Sequence, residues 1–259
     1  MSAGPAAGAP AIETEDLAKH FGGIHAVDHV TMAVPAGEIR GVIGPNGAGK
    51  TTLLTLLSGV SRPSSGRYRL FGADATGWPL HRIVREAKVV RTFQTVRLFE
   101  SMSVLDNVSV AAGATTVTRW HLPTRGAHRA AGARAREIVE WLGLGHVAAL
   151  PVAQLAYGVR RTVEIARALT TAPRVLLLDE PAAGLNPAER EELAVLLREL
   201  RDGGLTIVLV EHQMDLVTSV CDRLTVLDFG AVICEGSPAD VVADERVLHA
   251  YLGGGGSGE

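Results

Sequence analysis

Gly44-Pro45-Asn46-Gly47-Ala48-Gly49-Lys50-Thr51-Thr52 carries the complete spacing Gly-x4-Gly-Lys-Thr, and each residue type in it has a job toward a polyphosphate. Glycines without a Cβ let successive N–H groups turn into one concave nest, and a helix opening at Lys50 adds its partial positive charge. Lys50 brings a mobile ammonium for the β and γ phosphates, and Thr51 a hydroxyl for Mg²⁺. The competing reading is a Gly-rich turn that merely precedes a helix. It does not account for a complete motif flanked by both a strand and a helix.

A second pair of groups closes the run Val175-Leu176-Leu177-Leu178-Asp179-Glu180. A wholly apolar strand belongs in a buried parallel sheet, and carboxylates at its end arrive at the edge where such sheets bind ligands. Asp179 is placed to hold Mg²⁺ directly or through water, and Glu180 to polarise an attacking water. Two ordinary surface acids at a strand exit are the alternative. Three single residues leave two readings each. Phe21 is either a core residue or a flat face for an adenine ring. Gln94, after the strand-and-loop stretch from Lys88, is either a surface loop residue or an amide in reach of a metal and a water. His212, just past Leu205-Thr206-Ile207-Val208-Leu209-Val210, is either an ordinary exposed histidine or a contact to the γ phosphate.

The elements that must position these groups follow from periodicity. Ile39 to Ile43 reads as the strand before the phosphate loop and Lys50 to Leu57 as the helix after it. Short alternation between Ile12 and Val34, with Gly22-Gly23 as a turn, predicts a small antiparallel layer, and Arg67 to Gly72 reads as a further strand with its own exit glycine. From Val104 to Leu150 the period is helical, and another helix opens near Gln154 and closes before Pro173. Pro187 to Leu200 carries Leu193, Leu196, Leu197 and Leu200 on one helical face, and Leu224 to Gly236 reads as a hairpin with a Gly turn. The expected fold is α/β: a P-loop NTPase core with a mixed, mainly parallel sheet, an N-terminal antiparallel β layer and a helical subdomain inserted at about residues 98–165. Flexible tails are expected at residues 1–11 and 253–259.

The 259 residues are 47% hydrophobic and 20% charged, enough for a sizeable core and against wholesale disorder. A net charge of −3 gives no electrostatic case for nucleic acid. No apolar run reaches the roughly 18 to 20 residues that cross a bilayer, and Met1 to Pro10 reads as a loose tail, not a signal peptide. Cys221 and Cys234 lack metal-ligand spacing and read as reduced, small buried residues in a cytoplasmic setting. The acid-free stretch from Arg119 to Arg136 is either a solvated loop and helix start or a contact for an acidic partner or lipid headgroups.

Taken together, the phosphate loop, Gln94, Leu155-Ala156-Tyr157-Gly158, Val175 to Glu180 and His212 resemble, in that order, the ATP-binding subunit of an ABC transporter. The resemblance runs from Ile12 to Leu252 and implies a single ATPase domain over residues 12–252. It implies ATP and Mg²⁺ as ligands, Phe21 as the aromatic that stacks on adenine, Gln94 as the loop glutamine that senses Mg²⁺ and the permease, and His212 as the switch histidine. It also implies a second ATPase subunit, identical or different, whose ATP meets Leu155 to Gly158, together with integral membrane permeases, a substrate-binding protein outside the membrane, and a peripheral place on the cytoplasmic face. No nucleic-acid partner is expected.

Arg91-Thr92-Phe93-Gln94, Leu98-Phe99, Ala182-Ala183-Gly184-Leu185-Asn186-Pro187 and Tyr251-Leu252-Gly253 are similar to the subfamily importing branched-chain amino acids. Relatives that handle urea or short amides share these features. A soluble ABC ATPase of cofactor assembly or nucleic-acid work is the more distant alternative, disfavoured by a single cassette without coiled-coil heptads or a basic face. Tyr157 stands where the signature usually has glycine, Val159 where glutamine is usual, and Asn186 where many relatives have aspartate; Val159 removes one possible hydrogen bond beside the bound nucleotide.

Overall fold

The strands that are buried end to end occupy the middle of one sheet. The computed structural model describes residues 9–92, 97–114 and 125–253. In chain order its strands are β1 (Ile12–Phe21), β2 (Ile24–Val34), β3 (Ile39–Ile43), β4 (Ser65–Leu70), β5 (Ala73–Asp74), β6 (Val89–Arg91), β7 (Val175–Asp179), β8 (Thr206–Val210), β9 (Arg223–Asp228) and β10 (Ala231–Gly236). Six of them form a sheet in the order β10-β9-β3-β8-β7-β6, parallel except for the edge strand β10. β3, β7 and β8 are buried along their whole length, as central strands covered on both faces must be.

One residue of β3 is charged. Arg40 is only 2% exposed, its charge met by Glu38 at 2.6 Å and Glu235 at 2.5 Å, with the Ala33 carbonyl accepting a further bond at 2.9 Å. A buried guanidinium is tolerated here because its fork of donors is filled.

The other sheet is antiparallel, in the order β2-β1-β4-β5, so the expected two-stranded layer gains β4 and β5. Gly22 has φ 59 at the turn between β1 and β2, where a left-handed conformation is needed. Ala11, expected in the tail, is fully buried and extends the ladder by donating to Val34 and accepting from Phe71. Phe229 and Gly230, both with positive φ, make the two-residue turn of the β9–β10 hairpin.

The chain divides into two compact units. The first holds both sheets and runs to Arg91, then Arg174–Ala182, then from Arg190 onward. Its helices include α1 (Lys50–Leu57) and the short α2 (Leu80–Arg82), which continues as a π-turn over Ile83–Ala87. The second unit, Thr92–Pro173 with Ala183–Glu189, contains α3 (Val104–Ala114), α4 (Arg125–Trp141) and α5 (Tyr157–Leu169). It has its own apolar core, built on Val104, Val108, Ala135, Val139, Val152 and Val163. Asn107, fully buried, stitches the loop before α3 by accepting from the Phe99 N–H and donating to the carbonyls of Phe99 and Ser103. The remaining helices are α6 (Pro187–Asp202), α7 (Met214–Val220), α8 (Pro238–Ala243) and α9 (Glu245–Gly253).

Among the described residues no helix is long and apolar enough to cross a membrane. Cys221 is buried and its thiol is pushed up to about 12 by burial, whereas Cys234 is half-exposed and donates to Asp244. The basic stretch falls partly on residues 115–124, outside the described residues.

Candidate functional site

Register explains why the chemistry collects at one sheet edge. Val42 of β3 is level with Val210 of β8, and Val210 is level with Asp179 of β7. The residues that follow, Gly44, Glu180 and Glu211-His212, therefore leave three strands at the same carboxyl edge.

The phosphate loop is braced from behind. Gly44 has φ 144 and an added Cβ would fall 2.0 Å from the Leu227 carbonyl oxygen; Gly49 has φ 98 and its Cβ would meet the Ala26 carbonyl oxygen at 2.1 Å. Both positions exclude a side chain, so the backbone can curl against β2 and the β9–β10 hairpin. Gly230 N–H donates to the Ala48 carbonyl, and Ala48 N–H to that of Pro45. Asn46, Gly47 and Thr51 face solvent, while Thr52 is half-buried at the start of α1, whose first-turn N–H groups have no intrahelical acceptor.

Lys50 is buried, and its ammonium donates to the carbonyls of Gly44 at 2.7 Å and Pro45 at 2.8 Å. Burial lowers its pKa, opposed by the nearby carboxylates of Glu180 and Asp179. Thr51 Oγ1 donates to Asp179 Oδ1 at 3.1 Å, while Arg91 donates to Asp179 Oδ2 at 2.8 Å and to Thr55 at 2.7 Å. Mg²⁺ binds oxygen at about 2.0–2.1 Å in octahedral geometry, which sets neighbouring ligands about 2.9 Å apart. The Thr51–Asp179 oxygen pair fits two such adjacent positions.

Glu180 is half-buried and holds φ 47, a strained left-handed conformation for a non-glycine residue, with its N–H donating to Val210. Beside it Glu211 is fully buried. Its Oε1 accepts from the Ala182 N–H at 2.7 Å, and its Oε2 accepts from His212 at 3.0 Å and Gln213 at 3.4 Å. His212 itself is exposed, its Nδ1 3.8 Å from Glu211 Oε2. Phe21, at the end of β1, is 53% exposed, with Lys19 Nζ 5.1 Å from the ring centroid. Such exposure removes the core reading. Gln94 lies outside the described residues.

Leu155, Ala156, Tyr157 and Gly158 belong to the second unit. Leu155 is buried in its core, Ala156 is the N-cap of α5, and Ala156 and Tyr157 are exposed. The Tyr157 ring lies against Gly184, and Gly158 lies against the carboxylate of Glu189. Asn186 accepts from the Glu189 N–H at 3.0 Å and Glu189 accepts from the Asn186 N–H at 2.8 Å, a reciprocal capping box at the start of α6. Val159 packs on the helical core, so the apolar residue in place of an amide is directed to packing.

Three residues of this neighbourhood carry no role in the sequence reading: Arg91, Glu211 and Tyr251. Tyr251 of α9 accepts the Gly44 N–H at 2.9 Å through its hydroxyl, and burial raises its pKa against the opposing effect of that bond. Glu211 did leave a signal, since it follows the apolar run Ile207-Val208-Leu209-Val210 as Asp179 ends one.

Residues 27–183 match the family model described as ABC transporter, and residues 231–257 match that of the branched-chain amino acid ATP-binding cassette transporter. The chain is 41% identical over 257 residues to the high-affinity branched-chain amino acid transport ATP-binding protein BraF of Pseudomonas aeruginosa, covering 94% of this chain and 98% of the relative. It is 41% identical over 250 residues to the corresponding ATP-binding protein LivG of Escherichia coli, with the same coverage. Among solved structures, the ADP conformation of an ATP-binding cassette of an ABC transporter matches with a TM-score of 0.85 at 30% identity, covering 94% of this chain and 99% of that one.

Proposed function

Because the chain belongs to the ABC transporter family, we propose that it is the ATP-hydrolysing subunit that powers uptake of branched-chain and other hydrophobic amino acids through a membrane permease. The observation that carries this reading is the cluster at the sheet edge: Lys50 within the phosphate loop, Thr51 bonded to Asp179, and Glu180 next in a strained turn. The cargo class is supported by the relatives BraF and LivG and by the C-terminal segment 231–257.

Backbone N–H groups of Asn46 to Thr52 receive the phosphates, and Lys50 exchanges its two carbonyl acceptors for phosphate oxygens. Phe21 offers its exposed face to adenine. Thr51 and Asp179 would hold Mg²⁺, with Gln94 as a further ligand, and the ion would neutralise phosphate charge when bound. Glu180 accepts the proton of the attacking water as its oxygen bonds the γ phosphorus and the bond to the β-phosphate oxygen breaks, leaving ADP. His212 donates to the γ phosphate, its backbone fixed by Glu211.

Ala156, Tyr157 and Gly158 are available for the ATP of a second ATPase subunit, whose signature completes the site of this one. Closure of that pair drives the permease, and hydrolysis reopens it. The subunit works peripherally at the cytoplasmic face, and a separate substrate-binding protein delivers the cargo. The test is affinity capture of Glu180→Gln with Mg-ATP from gently solubilised membranes, followed by mass spectrometry and uptake assays on the permeases recovered. A multispanning pair that carries leucine is the expected result; recovery of soluble proteins alone would overturn the importer reading, and permeases that carry urea or amides would move the cargo.

A further inference from the structure

The end of the β1–β2 hairpin holds a cluster that ATP chemistry does not use. His20 and His25 are cross-strand partners, and their rings stack with centroids 4.0 Å apart and planes inclined by 26°. Asp28 Oδ1 lies 3.4 Å from His25 Nδ1. One donor atom from each of His20, His25 and Asp28 falls within 4.8 Å of the others. His20 Nε2 is buried with no hydrogen-bonding partner among the described residues. A buried polar atom without a partner in a native fold calls for an explanation, and a bound ion is one of the ordinary ones.

The backbone beneath these side chains is already fixed. His20 N–H donates to Ser64 Oγ at 3.0 Å, and Asp28 N–H to the Gly230 carbonyl at 2.8 Å. Adjacent ligands on a tetrahedral ion with bonds of about 2.0–2.1 Å stand roughly 3.3 Å apart, so closing the present spacing takes side-chain movements of up to about 1.5 Å. His25 is exposed and free to make that turn. His29, whose Nε2 is 3.9 Å from Asp28 Oδ1, is the nearest further imidazole.

From this geometry we propose that His20, His25 and Asp28 form a site for a borderline divalent transition cation of the zinc type, with His29 or solvent completing the coordination. Two imidazoles and one carboxylate select such an ion over Mg²⁺, which prefers an all-oxygen shell. His20 immediately precedes Phe21, so an ion bound here clamps the hairpin end that carries the exposed ring. The hard-cation pair Thr51–Asp179 is a separate donor set with no imidazole in it.

The test is a Zn²⁺ titration of the tag-free full chain against a chromophoric chelator, in excess Mg²⁺ so that oxygen-only sites are occupied. Loss of an outer partner of a metal ligand already costs about 10–100-fold in affinity, so His25→Ala and Asp28→Asn, each losing a direct donor, should weaken binding of one Zn²⁺ per chain by at least about tenfold. Both altered side chains are at or near the surface, and circular dichroism checks that each variant stays folded. The double variant Cys221→Ser, Cys234→Ser should keep the native affinity. Equal binding by the native chain and both hairpin variants, or loss of binding only in the cysteine variant, would overturn the proposal.

Discussion

β7 and β8 are neighbours, parallel, equally buried, and each delivers an acid at the same edge, yet the acids do different work. Asp179 meets charge and hydroxyl: Arg91 on one oxygen, Thr51 on the other. Among the described residues Glu211 takes its hydrogen bonds from backbone, accepting N–H bonds from Ala182, His212 and Gln213. In each case the buried acid is an anchor and the next residue, Glu180 or His212, is the one presented outward. Two carboxylates at neighbouring strand ends are thus separated by what surrounds them. Asp179 keeps one oxygen beside a hydroxyl, where a cation can enter, whereas Glu211 has its lone pairs occupied by the loops it ties.

Four substitutions sharpen this contrast. Glu180→Gln removes a presented base and no anchor, so turnover should fall about 10²–10⁴-fold with nucleotide binding retained, read by phosphate release beside equilibrium binding; normal hydrolysis would remove Glu180 from the base role. Asp179→Asn leaves the buried Arg91 without its carboxylate and should lower stability by about 3–5 kcal/mol, measured as a reduced denaturation midpoint together with weaker Mg²⁺ dependence of nucleotide binding. In Glu211→Gln one carboxylate oxygen becomes an NH₂ that cannot accept, leaving backbone N–H groups of one loop unpaired. About 1–3 kcal/mol of stability should go, with no change in the Mg²⁺ requirement, and an equal Mg²⁺ effect in the two variants would erase the distinction between the anchors. Smallest is Tyr251→Phe, which deprives Gly44 N–H of its acceptor: about 1 kcal/mol or less, because the part-exposed site lets water replace the phenol. An unchanged midpoint would make that contact incidental.

What could be read without coordinates was what the chain writes contiguously. The phosphate loop and the apolar run into Asp179-Glu180 each sit within a dozen residues, and the physics that makes them work acts over that span. The same holds for the turns at Gly22 and Gly230, where positive φ leaves its mark in the residue type. Arg91 binding Asp179 across 88 positions, and Tyr251 binding Gly44 across 207, leave no local pattern. Arg40 gives no local sign of how β3 can bury it, since of its two neutralising carboxylates Glu38 is nearby but Glu235 lies 195 positions away. Val159 was read as a missing hydrogen bond, and only the helical core around it reveals a packing role. The His20–His25 pairing depends on register shifts in β1 and β2 that alternation alone does not predict.

The position of β3 at the centre of the sheet also sets an order of events during synthesis. β1, β2, β4 and β5 are all present once Asp74 has been made, so the antiparallel layer is completed from local chain. β3, made between β2 and β4, waits for β8 and β9; Ile39 N–H finds its acceptor on Asp222, 183 residues later. At about 5–20 residues per second, both edges of this core strand stay unpaired for roughly ten to thirty seconds. That interval is when a nascent chain is most open to edge-to-edge association and to chaperones. A ribosome stalled between Asp74 and Thr206 therefore holds a polypeptide with every residue of the phosphate loop and neither of the strands that flank β3.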